Sequence, residues 1–92
     1  MTEGTATHAL YRIGVRITLR PAVLDPQGQA IVRGLHALDF PAIEDVHAGK
    51  YFRLAVRAAT LEDAMTTASD ACERLLANPV IETFILTPEG TT

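Results

Sequence analysis

Residues 11–20, YRIGVRITLR, alternate between apolar and polar side chains along their whole length. Tyr11, Ile13, Val15, Ile17 and Leu19 fall on one side, and Arg12, Gly14, Arg16, Thr18 and Arg20 on the other. A period of two is the geometry of a β-strand, whose successive side chains point to opposite faces, and the β-branched residues on the apolar side suit a pleated surface. A strand apolar on one face needs a sheet beside it and a layer above it. Pro21 follows and, lacking an N–H for the ladder, closes the strand.

The stretch LDPQG (residues 24–28) changes the period. Asp25 is a favoured N-cap, and Pro26 suits the first helical position, where a missing N–H costs nothing. Ile31, Leu35 and Leu38 then recur at helical spacing, with Gly34 beside them as a candidate for close packing. The helix is expected to end near Asp39, because Pro41 disfavours helical geometry at Phe40. Capping does not explain Gln27 and Gly28, and a glycine inside the first turn costs up to ~1 kcal/mol relative to alanine. Gly28 therefore implies either a close backbone approach to a second copy or a partner subunit, or else a local packing need.

Residues 42–58 read as a hairpin, with Ile43 and Val46 on a short strand, Gly49 at the turn and a second strand from Tyr51. In that second strand Phe52, Leu54, Val56 and Ala58 face inward, while Arg53 and Arg57 face outward. Thr60 with Asp63 three residues on predicts a capped second helix whose stripe is Leu61, Ala64, Ala68, Cys72, Leu75 and Leu76. Asn78 suits a left-handed position after that helix, Pro79 forbids its continuation, and VIETFILT (80–87) is a last strand. The order β-α-β-β-α-β predicts an α+β, ferredoxin-like antiparallel sheet with both helices on one face.

Ninety-two residues make one domain, 1–92, with an ordered core over about 9–87; MTEGTATHA and TPEGTT are expected to fray. At 48% hydrophobic the core is real but thin, which favours self-association. Eight basic against eleven acidic residues oppose a nucleic-acid or anionic-membrane partner. A single cysteine excludes an internal disulfide and a thiolate zinc site. No basic patch precedes an apolar stretch at the N-terminus, and no apolar run approaches the ~18 residues of a membrane helix, so a cytoplasmic location is expected.

No catalytic constellation emerges. His8, His36 and His47 lack metal-ligand spacing, and Cys72 sits on an apolar stripe as a small buried hydrophobe. Glu44 and Asp45 form an acidic pair with no histidine or nucleophile to complete an acid–base set. AGKYF (48–52), with Gly49, Lys50 and Tyr51, lacks the upstream glycine and following Ser/Thr of a P-loop. The outward face of the paired central strands instead carries Arg12, Arg16, Arg20, Arg53 and Arg57, which are either solvated or meet a second copy or a partner. An ACT-like amino-acid-binding module shares a related plan, whereas an RRM-like RNA-binding sheet would need exposed aromatics where Arg, Gly and Thr stand.

Three separated segments, VRITLRPAVLDPQGQAIVRGL, VHAGKYFRLAV and ACERLLANPVIETFIL, together resemble the PurS family across residues 12–86. LDPQG, GKY and CERLLANPVIE are specific in combination, while His47 and Ala48 stand where arginine and another apolar residue are commoner. PurS is the small subunit of phosphoribosylformylglycinamidine synthase in purine biosynthesis. The resemblance implies a non-catalytic assembly subunit, itself a dimer or higher homo-oligomer. It would join a glutaminase subunit (PurQ type) to a large subunit (PurL type) that uses ATP and Mg2+, and would support ammonia transfer between them. It also implies no cofactor on this chain. The candidate assembly residues are Asp25, Pro26, Gln27, Gly28, Gly49, Lys50, Tyr51, Arg12, Arg16, Arg53 and Arg57.

Overall fold

The alternating segment forms β1 (Ala9–Leu19), the central strand of a three-stranded antiparallel sheet in a computed structural model that describes residues 8–91. The other elements are α1 (Pro26–Ala37), β2 (Gly49–Ala58), α2 (Leu61–Ala71), a π-helical turn over Cys72–Leu76, and β3 (Glu82–Thr91). The sheet order is β2-β1-β3. Val15 faces Phe52 on one side and Leu86 on the other, so the apolar positions of all three strands share one face.

α2 covers that face. Ile13, Val15 and Ile17 are fully buried beneath it, each burial being worth about 1.5–3 kcal/mol. Ala64 and Ala68 are also fully buried, and their small side chains let the helix sit close over Ile13 and Ala58. The Thr60 hydroxyl oxygen accepts from the Asp63 N–H at 3.1 Å, and Glu62 and Asp63 lie in the first turn, where the helix dipole favours negative charge. Cys72 continues the stripe over Val15 and Ile17, completely buried as expected.

α1 takes a different course. Its cap is as expected, with Asp25 accepting from the Gly28 N–H and Pro26 at the first position. Its end is a Schellman-type closure: the Asp39 N–H bonds to the His36 carbonyl and the Phe40 N–H to the Leu35 carbonyl. Asp39, at φ 72°, takes the left-handed place that glycine more often fills. The helix does not pack on the sheet. Ile31, Leu38 and Phe40 are 42%, 70% and 51% exposed, and Gly34 has open space where its side chain would be. The radius of gyration is 18.0 Å, against about 12 Å for a compact chain of this length. α1 and the segment returning from it form an arm.

The α+β class and the antiparallel sheet stand as expected, with three corrections to detail. The strand expected at Ile43 and Val46 does not form. After the Pro41 break the backbone there bonds to side chains: His36 Nε2 meets the Ile43 carbonyl at 2.7 Å, and Asp45 accepts from the Val46 N–H at 3.0 Å. Gly49 is therefore not a hairpin turn but the first residue of β2, where a Cβ would lie 2.6 Å from the Ile17 carbonyl oxygen. The segment 49–58 pairs with β1 but is an edge strand, and only α2 lies on the sheet.

At the end of α2 the stripe slips. The Ala77 N–H bonds five residues back to the Cys72 carbonyl, so the wider turn buries Ala77, leaves Leu76 half-buried and turns Leu75 out to 84% exposure. Asn78 does not adopt a left-handed backbone; its side chain accepts from the Val80 N–H instead. β3 continues through Pro88 to Thr91, so residues 87–91 of the tail expected to fray are strand, while residues 1–7 and 92 lie outside the described residues. We expect Ile13→Ala to cost about 2–5 kcal/mol in urea denaturation. Leu75→Ala should stay within about 0.5 kcal/mol.

Candidate functional site

The residues singled out in the sequence separate into two groups. The first lies at the base of the arm. Asp25 Oδ1 accepts from the Gly28 N–H at 2.8 Å, and Oδ2 accepts from the Ala48 N–H at 2.9 Å. One carboxylate thus caps α1 and fastens the start of β2 to it. Gly28 is buried beneath the Val46 carbonyl, and a Cβ there would collide with that oxygen and with the Asp25 carboxylate. Of the two readings of Gly28, the local packing need is the one present within the chain. Pro26 holds the first turn, and Gln27 is exposed. His47 lies 3.9 Å from Asp25 and 2.8 Å from Asp45. A histidine does accompany the acidic pair, but both side chains are about three-quarters exposed and no nucleophile joins them.

The second group lies on the sheet face opposite α2. Arg12 and Arg16 of β1, with Tyr51, Arg53 and Arg57 of β2, share this open face. Glu89 of β3 joins them: it accepts from the Tyr51 hydroxyl, and its other oxygen takes Arg53 Nε at 2.8 Å. Gly14 lies directly beneath, where a Cβ would meet Glu89 and Tyr51. Sequence reasoning missed Glu89 because it lies in TPEGTT, a small and polar stretch expected to fray. Proline is tolerated on an edge strand, and the eleven-residue β1 needed a comparably long partner. Arg20 leaves the face and donates to the Pro79 carbonyl at 2.9 Å. Lys50 is on the covered side, 3.4 Å from Glu82.

The carboxylates of both groups are engaged within the chain. The carboxylates of Asp25, Glu82 and Glu89 each hold backbone or side-chain donors of this chain. Among the described residues no cluster of three or more His, Cys, Asp or Glu is placed to hold a metal ion, and burial pushes the Cys72 thiol up, away from the reactive thiolate. No helix among the described residues is long and apolar enough to cross a membrane. The polar geometry fixes an arm and an arginine-bearing face.

Comparison with known proteins accounts for this combination. The family model for PurS, phosphoribosylformylglycinamidine (FGAM) synthase, matches residues 12–90. The chain belongs to the PurS family. A Mycobacterium leprae phosphoribosylformylglycinamidine synthase subunit PurS is 42% identical over 81 residues, covering 88% of this chain and 99% of that one. The Bacillus subtilis PurS subunit is 37% identical over 75 residues, 82% of this chain and 88% of that protein. Among solved structures, a chain of the Thermotoga maritima PurLQS structure superposes with a TM-score of 0.82 at 31% identity, covering 87% of this chain and 98% of that one. PurS relatives are thus subunits of a ligase, and the similarity runs through both the arm and the sheet.

Hydrogen bonds to the ionised form hold three carboxyl groups below their ordinary range. The donors are the backbone N–H groups of Gly28 and Ala48 for Asp25, the backbone N–H of Asn78 for Glu82, and the Tyr51 hydroxyl followed by Arg53 for Glu89. A carboxyl lowered in this way stabilises the fold fully above its ordinary value, 3.8 for Asp25 and 4.5 for the glutamates. That contribution disappears as pH falls through the lowered value. Asp25→Asn should therefore lower the urea midpoint most near neutrality, and the gap to the parent protein should narrow between about pH 5 and pH 2. A gap independent of pH would mean that the Asp25 clasp contributes nothing through its charge.

Proposed function

We propose that this chain is the PurS subunit of phosphoribosylformylglycinamidine synthase, acting in the cytoplasm as an assembly subunit without catalytic residues of its own. The observation that carries the reading is the family match over residues 12–90, which takes in nearly every element of the fold. The synthase converts formylglycinamide ribonucleotide, ATP, glutamine and water to formylglycinamidine ribonucleotide, ADP, phosphate and glutamate. The glutaminase subunit releases ammonia, the large subunit holds ATP and Mg2+ and performs the ligation, and this chain joins the two and binds no cofactor. The likeness to a chain of the Thermotoga maritima PurLQS structure supports that role, and the relatives favour it over an ACT-like module.

The arm supplies the means of self-association. Ile31, Leu38 and Phe40 expose an apolar stripe, with Gly34 as a notch in it, and the chain's own sheet leaves them uncovered. A second copy covering this stripe would supply the burial that a thin core lacks. Leu35→Lys with Leu38→Lys should lower the mass measured by light scattering while the sheet remains folded.

The decisive assay combines the large subunit and glutaminase of the same organism with and without this chain. Product formation should depend on the chain when glutamine is the nitrogen source and not when ammonium salt is. Glutamine-dependent activity indifferent to the chain would overturn the reading.

A further inference from the structure

The open face of the sheet carries four arginines and a single carboxylate, in a chain whose net charge is −3. Glu89 is engaged with Tyr51 and Arg53. Among the described residues, none of Arg12, Arg16 and Arg57 pairs with a carboxylate of the chain. The acids lie elsewhere, with Glu62, Asp63, Asp70 and Glu73 all on α2 or the turn that follows, over the opposite face. The sheet therefore separates charge across its own thickness.

This face is more than a set of solvated cations. In the pairing register Arg16 stands between Tyr51 and Ile85, which are 51% and 57% exposed. A row of aromatic, arginine and branched aliphatic side chains thus crosses all three strands. Tyrosine and arginine are enriched at protein interfaces, where a ring or guanidinium plane combines contact area with a directed donor. Glu89, seated over Gly14, holds Tyr51 and Arg53 in place before any partner arrives, which reduces the ordering cost of binding.

We infer that the open sheet face, centred on Arg16 with Arg12 and Arg57 around it, docks a carboxylate-bearing surface of another synthase subunit. This rests on the reading of the chain as an assembly subunit. A second copy is a poor occupant: a two-fold pairing of this face would set arginine against arginine, and like charges facing each other across an interface oppose association. Bidentate pairing with carboxylates suits the planar guanidinium fork, and with one exposed tyrosine the face lacks the aromatic platforms of an RNA-binding sheet. The arm and the sheet face then have separate occupants, a second copy and an acidic partner.

The test uses the full chain with its large subunit and glutaminase, and follows complex formation by analytical ultracentrifugation. Arg16→Glu with Arg57→Glu, both at exposed positions, should weaken assembly roughly tenfold or more. The milder pair Arg16→Gln and Arg57→Gln should weaken it less. Both variants should keep the parent's homo-oligomeric mass and urea midpoint, and assembly of the parent should weaken with added salt. Assembly of the Glu variant at parental affinity would overturn the inference while leaving the assembly role intact. So would a loss of homo-oligomeric mass in that variant, or RNA binding abolished by it. Failure of the parent chain to assemble at all would instead remove the underlying function.

Discussion

Among the described residues only β1 has a strand on both sides, and its two faces arrange the elements around it. Ile13, Val15 and Ile17 place three branched side chains in a row on one face, and only a helix with very small contact residues can approach them closely. Ala64, Ala68 and Cys72 are those residues, and all three are completely buried. The same alternation puts Arg12, Gly14 and Arg16 on the other face. Because the side-chain period is two, a one-residue slip of register would bring arginines under α2 and the isoleucines into water. Core and charged surface are thus specified by one strand.

The Asp25 carboxylate has a comparable role for the arm. It binds the first turn of α1 and the residue before β2, so it fixes both ends of the excursion that leaves the sheet after β1 and returns at β2. Gly28 makes that junction possible, since any side chain would hit the Val46 carbonyl. With its base held, α1 can project while exposing an apolar stripe. In a chain with few large apolar side chains to cover one sheet, a second helix laid outward leaves an apolar stripe that the chain's own sheet does not cover.

The chemistry that is missing is as informative as the arrangement that is present. The polar groups with well-defined partners bind other parts of the same chain: Asp25 to the clasp, Glu82 to Asn78 and Lys50, and Glu89 to Tyr51 and Arg53. These groups give the surface shape and charge. That is consistent with the assembly role proposed above, in which shape and charge are what this chain contributes.

Much of this was legible in the residues. The alternation of 11–20, the Asp25–Pro26 helix start, the Thr60 cap and the burial of Cys72 depend on local sequence and came through unchanged, as did the α+β antiparallel class; the arginine-bearing face kept Arg12, Arg16, Arg53 and Arg57 but lost Arg20 to the Pro79 carbonyl. What sequence could not decide was anything set by competition between distant groups. Ile43 and Val46 have the composition of a strand, but side chains of Asp45, His36 and Asp25 engage the backbone of that segment before a ladder can. Leu75 has helical spacing, but a π-turn rotates it out. Glu89 lay in a tail that looked too small and polar to be ordered, yet an eleven-residue central strand had room for it and placed two donors beside it. Local propensity and periodicity are properties of neighbours in the chain, so the sequence by itself determined the elements and the faces they present. Where α1 lies, which strands have partners, and which carboxylate meets which arginine depend on contacts tens of residues apart, and only the tertiary structure decided them.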